Sequence, residues 1–244
     1  MYSFRTTFGP VELAFTDRLG GVSATPYDAL NLSIAGDDDA AAKAENHRLV
    51  MEDFAPGLGV DRIADVYQVH GASVVPAAPG VRPEADGIVT ADPDIVLLVR
   101  AADCVPVLLA DAGAGVIGAA HAGRIGMALG VVPGVVARMR ELGATEVRAW
   151  IGPAICGSCY EVPEALREEV AAVEPASRAT TSWSTPALDL VAGVTAQLER
   201  AGVSAEQVGR CTRESDDLYS YRRDGERAGR LAGLIRLRAA GPVR

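Results

Sequence analysis

The stretch "IVLLVRAADCVPVLLAD", from Ile95 to Asp111, limits most strongly how this chain folds. It consists of two runs of Val, Ile and Leu parted by Ala101-Ala102-Asp103-Cys104, and "GVIGAAHA" follows, carrying His121 near its end. Each run has the length and the β-branched content of a strand but lacks the polar alternation of a half-exposed one. These are the most deeply buried-looking segments of the chain. None approaches the roughly 18 apolar residues that a membrane span needs.

Around this centre, strands and helices interleave irregularly. The first strand is expected at Val11–Arg18, with a turn at Gly20-Gly21 and a helix starting near Asp38 or Asp39, where carboxylates suit unpaired N–H groups. "IADVYQVHGASVV" reads as one strand bent at His70-Gly71, and "ADGIVTA" and "VRAWIGPAI" as further strands. Helices are expected over Met127–Leu142, closed by Gly143, from Pro163 through "EALREEVAAV", and in "LDLVAGVTAQLERAGV", stopped at Gly202. A last strand is placed at Arg230–Leu237, and the Pro- and Ala-rich "VVPAAPGVRPEADG" is read as a surface loop. Several strands in succession favour an α/β (α+β) domain of layered mixed sheets flanked by helices, one domain over residues 1–244.

A net charge of −9 disfavours nucleic-acid binding, since an acidic surface repels phosphate backbones. The opening "MYSFRTTFGPVELAF" mixes charge and polarity and does not resemble a signal peptide. Four scattered cysteines are no disulfide framework. The expectation is a cytoplasmic protein without a membrane or nucleic-acid partner, a monomer or small homo-oligomer.

His70, Cys104 and His121 are the principal candidates for chemistry, each near the end of an expected strand. A thiolate and two imidazoles suit a borderline divalent metal and leave a fourth position open, as catalytic zinc sites do. They are separated by 34 and 17 residues, which matches no compact finger motif, so hydrogen-bonded histidines and an apolar cysteine are the alternative. Cys156 and Cys159 form "CGSC", half a zinc site or a redox pair; a second CxxC is missing, and both read as loop cysteines, with Cys211 structural. "YSYRRDGERAGR" gathers arginines suited to phosphate or carboxylate, or else a solvated hairpin. His47 reads as an ordinary surface or half-buried helix residue.

Taken in order, "TDRLGGVS", "PYDALNLS", "QVHG", "ADGIVT", "ADCVPVLLAD", "AAHAG", "IGPAI…CYEV", "LDL" and "CTRESDDLYSYRRDGERAGR" resemble one family over nearly the whole chain. It is the YfiH-type family, long labelled laccase-domain or multicopper polyphenol oxidoreductase and later described as purine nucleoside phosphorylases. The resemblance implies a cysteine-hydrolase-like fold and His70, Cys104 and His121 as metal ligands, usually for zinc. It implies phosphorolysis of adenosine, inosine and S-methyl-5′-thioadenosine, with adenosine deamination as a side activity. Asp103 is carried over as acid/base or as a support for the ligands. Gln68, Asn31, Arg222, Arg223 and Arg230 are carried over as substrate-binding candidates, the arginines for phosphate. Two departures stand out: Arg124-Ile125-Gly126 follows "HAG" where the family has Trp-Arg-Gly, and His47 follows Asn46 where it tends to have Arg.

Other readings use the same residues. His₂Cys is also a blue-copper set, but a copper phenol oxidase needs a further imidazole-rich cluster and only His47 is left to supply it. A metal-free hydrolase would use Cys104 as nucleophile and a histidine as base. A non-catalytic role in editing cell-wall precursors, to which family members have been linked, is the fourth.

Overall fold

Every residue of the three central apolar strands is buried, and polar residues mark where the strands break. The computed structural model describes residues 1–238, so the end of the expected 1–244 domain lies outside the described residues. Strands β1 (Tyr2–Phe8) and β2 (Val11–Thr16) form an opening hairpin, and helix α1 (Ala40–Phe54) follows. Short strands β3 (Ile63–Asp65) and β4 (Val74–Pro76) precede β5 (Gly87–Thr90). The apolar centre supplies β6 (Val96–Ala101), β7 (Val105–Asp111) and β8 (Val116–Ala122). Then come α2 (Arg124–Ala128), α3 (Val131–Glu141), β9 (Arg148–Ile151) and α4 (Glu164–Val173). The rest comprises β10 (Arg178–Thr180), β11 (Pro186–Leu188), α5 (Leu190–Arg200), β12 (Ser204–Gln207), α6 (Tyr221–Asp224) and β13 (Leu231–Leu237).

Two large sheets result, ordered β1-β2-β13-β6-β3 and β12-β9-β7-β8-β5-β4, with β10 and β11 pairing separately. They stack face to face: Leu13, Phe15, Leu97 and Val99 of the first pack against Leu108, Ile117 and Trp150 of the second. The alternate residues of the same strands face helices. Val96 and Leu98 meet Val50, Met51 and Phe54 of α1, while Val107 and Leu109 meet Val132, Val135 and Met139 of α3. A strand covered on both faces has no solvent side, which is why these segments lack alternation. Each such Val, Leu or Phe contributes about 1.5–3 kcal/mol through burial. The mixed α+β class expected from the sequence is the observed one.

The breaks between strands decide the site. "IADVYQVHGASVV" is not one bent strand: β3 belongs to the five-stranded sheet and β4 to the six-stranded one, and the chain crosses between them through His70. The same crossing separates β6 from β7 and holds Asp103 and Cys104. The helix expected over Met127–Leu142 is two helices, because Pro133 fits the first turn of α3 but would clash inside a longer helix, and Gly130 (φ 81°) makes the turn. Asp39 caps α1 as expected, accepting from the Ala42 N–H at 2.8 Å. The first expected strand ends at Thr16, and β9 stops at Ile151. The arginine-rich segment is no hairpin but the four-residue α6, capped by the Ser220 hydroxyl. Strands β1, β10 and β12, which have exposed positions and weak apolar patterns, escape sequence reading. Among the described residues no helix is long and apolar enough to cross a membrane.

Candidate metal centre and substrate cavity

The two crossovers and the end of β8 bring His70, Cys104 and His121 together, one ligand atom of each within 4.8 Å of the others. The imidazole rings meet edge to face, with centroids 4.9 Å apart. Among the described residues only three non-glycines have positive φ, and two lie here: His70 (60°) and Asp103 (89°). Such backbone costs on the order of 1–3 kcal/mol per residue and persists where surrounding contacts hold it.

For His70 the holding group is Asp86, fully buried at the start of β5. Its carboxylate accepts the N–H groups of Val69, His70 and Gly71 at 3.2, 3.1 and 2.6 Å, and meets His121 Nδ1 at 2.8 Å. With Nδ1–H donating to Asp86, the His121 Nε2 lone pair is left for a metal. Burial alone would raise the Asp86 pKa; the bonds from His121 and Gly71 outweigh it and hold the carboxyl below its ordinary range. Burial likewise pushes the Cys104 thiol up, but His121 and His70 more than reverse this and bring it to about 6. His121, lowered by burial, is raised by the Cys104 thiolate and Asp86 to about 9. The pair is therefore a thiolate beside an imidazolium until a cation replaces the proton.

Gly123, just after β8, leaves room for this cluster. A Cβ there would lie 2.7 Å from His70 Cδ2 and 3.2 Å from Cys104 Sγ. Gly123→Ala is expected to displace the His70 ring and weaken turnover by about 10²-fold, the scale of a 1 Å misplacement. An unchanged metal affinity and rate in this variant would mean that the ring is free to shift.

The cluster opens into a cavity of about 600 Å³. Tyr27, Tyr160 and Tyr221 supply aromatic walls, and Arg222 and Arg230 add cationic ones. Arg222 lies over the Tyr160 ring at 4.9 Å and donates to the Glu161 carbonyl at 2.8 Å. Arg230, over Tyr221, is half-buried, and desolvation lowers its pKa. Gln68 lines the cavity, its amide donating to the Arg100 carbonyl at 2.7 Å and accepting the Arg100 N–H at 2.8 Å. Asp103 also lines it, its oxygens taken by the Thr212 hydroxyl (2.6 Å) and the Arg222 N–H (2.5 Å). Asn31 and Arg223 stand behind the wall. Asn31 accepts the Arg230 N–H at 2.9 Å, and Arg223 donates to the carbonyls of Thr212, Arg213, Ser215 and Leu218. Asp86, in "ADGIVT", and Tyr160, in "CYEV", are site residues that local sequence pattern does not mark; only pairing between β5 and β8 reveals the first.

The two departures behave differently. Arg124, one position off the family's arginine, still faces the Tyr160 hydroxyl beside Cys104. His47 is half-buried: Nδ1 donates to the Lys43 carbonyl at 2.7 Å, and Nε2 accepts from buried Arg100 at 3.1 Å. Burial first, then the Arg100 charge, lowers its pKa to about 4. The unfolded imidazole thus binds a proton before the folded one does. Its stabilising share is complete above pH 6.5 and falls by on the order of 2 kcal/mol as pH drops towards 4. Urea unfolding at pH 7 and pH 5 should show a smaller loss in His47→Gln than in the native protein; equal losses would assign the effect elsewhere.

Residues 12–238 match the family described as multi-copper polyphenol oxidoreductase laccase. The chain belongs to that family. A Streptomyces coelicolor member named as a purine nucleoside phosphorylase is 54% identical, over 96% of this chain and 99% of its own. A Neisseria meningitidis protein of known structure superposes with a TM-score of 0.86 at 31% identity, covering 97% of this chain and 99% of its own. The Bacillus licheniformis YfiH structure gives 0.84 at 26% identity, over 93% of each chain. Family membership thus agrees with the resemblance carried by the sequence motifs.

Proposed function

We propose that this protein is a zinc-dependent purine nucleoside phosphorylase acting on adenosine, inosine and S-methyl-5′-thioadenosine, with adenosine deamination as a side activity. The observation that carries the reading is a His₂Cys cluster at one end of a cavity with tyrosines and two arginines in its walls. The donor set fits zinc: two nitrogens and a sulfur converge, a carboxylate orients one imidazole, and three ligands leave a position open. Family relatives named for this activity support it. His47, the remaining imidazole, lines a separate cavity of about 300 Å³, which leaves the imidazole-rich copper cluster of a phenol oxidase without its histidines.

Bound zinc would supply Lewis-acid polarisation to the reacting groups. The chain's own residues do the rest. Tyr160 and Tyr221 offer faces for the purine and ribose, each backed by a guanidinium. Arg222 and Arg230 bind the phosphate and hold it towards the anomeric carbon, neutralising its charge. Asp103 fixes the backbone of Arg222, and Asn31 that of Arg230, so both cations keep their direction. Gln68 is immobilised to present a fixed edge to substrate.

The test is incubation of purified protein with each nucleoside, with and without phosphate. Free purine and pentose 1-phosphate should form only when phosphate is present, and adenosine should also yield some inosine without it. Phenol oxidation without base release, or base release indifferent to phosphate, would overturn the proposal.

A further inference from the structure

In the sequence Cys156 and Cys159 read as loop cysteines, because half a zinc site has no second CxxC to complete it. The fold brings another half. After β9 the chain turns tightly, the Cys159 and Tyr160 N–H groups both donating to the Cys156 carbonyl at 3.0 Å. The segment preceding α6 lies parallel to it through the bridge Ala154–Cys211, with the Thr212 N–H donating to the Ala154 carbonyl at 3.0 Å. This register sets Cys211 against the turn, its sulfur accepting the Cys156 N–H at 3.4 Å. Glu214 follows three residues later. One donor atom from each of Cys156, Cys159, Cys211 and Glu214 lies within 4.8 Å of all the others.

We propose that Cys156, Cys159, Cys211 and Glu214 form a second, structural site for a thiophilic divalent cation of the zinc class. Two i, i+3 pairs, Cys-x-x-Cys and Cys-x-x-Glu, supply three sulfurs and one oxygen. A tetrahedral ion with metal–sulfur bonds of about 2.3 Å needs its donors roughly 3.8 Å apart, a small contraction from the observed spread. Four ligands close the coordination shell, in contrast to the three at His70, Cys104 and His121, so this ion would hold structure and do no chemistry. None of the four residues lines the substrate cavity.

Burial, with Cys211 and Cys159 beside it, raises the Cys156 thiol to about 12, and burial raises the Cys159 thiol too. A divalent ion reverses this, replacing the three thiol protons as it binds. Arg213 reaches Cys159 and offsets the surplus negative charge of three thiolates and a carboxylate. All four cysteines of the chain are unpaired.

The position gives the ion a purpose. Ile155, next to Cys156, lines the cavity and donates its N–H to the Asp103 carbonyl at 3.0 Å. Thr212, next to Cys211, holds the Asp103 carboxylate at 2.6 Å. Clamping the two segments together thus secures both contacts to Asp103, the residue before Cys104.

The test uses untagged protein purified under reducing conditions, and does not depend on which reaction is catalysed. Native protein should hold about two zinc per chain, and the Cys104→Ala/His121→Ala variant about one. Cobalt(II) loaded into that variant should give the intense sulfur-to-cobalt absorption of a tetrahedral thiolate site. Cys211→Ser should weaken that absorption, and Cys156→Ser in the otherwise native protein should halve zinc content. Should the double variant not fold, thiol titration of native protein decides: Cys156, Cys159 and Cys211 should react only after a chelator is added. Three freely reactive thiols, a Cys156–Cys159 disulfide in the purified protein, or no zinc left after the first cluster is removed would each overturn the proposal.

Discussion

Cys104→Ala is expected to lower phosphorolysis by on the order of 10³-fold or more, and to remove one metal equivalent, while leaving the fold intact. The reasoning is geometric. Cys104 is the only sulfur among the three converging donors, and the two histidines face it. Alanine removes the anionic ligand and leaves His121 beside Asp86 alone, so the remaining imidazoles make a weak, neutral pair of donors. The loss corresponds to about 4 kcal/mol of transition-state stabilisation. Folding should be spared, since an alanine side chain fits wherever a cysteine did and the neighbouring strands β6 and β7 keep their core contacts. Stripping the native protein with a chelator separates this from a cysteine-nucleophile mechanism. Metal-stripped protein that keeps full turnover, beside an inactive Cys104→Ala, would sink the metal reading.

Asp86→Ala should impair both stability and metal binding. The carboxylate holds three consecutive N–H groups across the His70 crossover and the ring of His121. Its own backbone carbonyl also accepts the His121 N–H at 2.8 Å, so strand pairing survives the substitution. What is lost is everything that keeps His70 at a positive φ and His121 in one tautomer. Leaving these donors unpaired costs about 3 kcal/mol, and losing a carboxylate behind a histidine ligand weakens metal affinity by about 10- to 100-fold. Asp86→Asn is the sharper probe: its amide matches the carboxylate in shape but brings an N–H₂ donor against other donors, so it too should lose affinity. Thermal unfolding and competitive metal titration together read the result. A native metal affinity in both variants would show that the crossover holds itself.

How much of this was legible depends on the range of the interaction. Asp39 starts a helix, and Gly143 and Gly202 end theirs, through contacts with their own neighbours, and each stands where local pattern puts it. Apolar periodicity runs unbroken over Met127–Leu142, but Pro133 and Gly130, both local signals, split the segment into α2 and α3. "IADVYQVHGASVV" differs in kind: nothing within it says that its two halves pair with different sheets. Asp86 carries no local signal, because its partners lie 15 to 17 residues back and 35 forward.

Residue chemistry and local pattern were the sequence's own. The buried strands, the helix caps, and the presence of two imidazoles and a thiol beside apolar runs all follow from side chains and their immediate neighbours. Only the tertiary structure decided that two sheets stack, that the chain crosses between them at His70 and again at Cys104, and that those crossings meet at the end of β8. It alone set Cys211 against Cys156, 55 residues away. The physical reason is that convergence depends on strand pairing and layer packing between distant segments, and no local periodicity records which strand will pair with which.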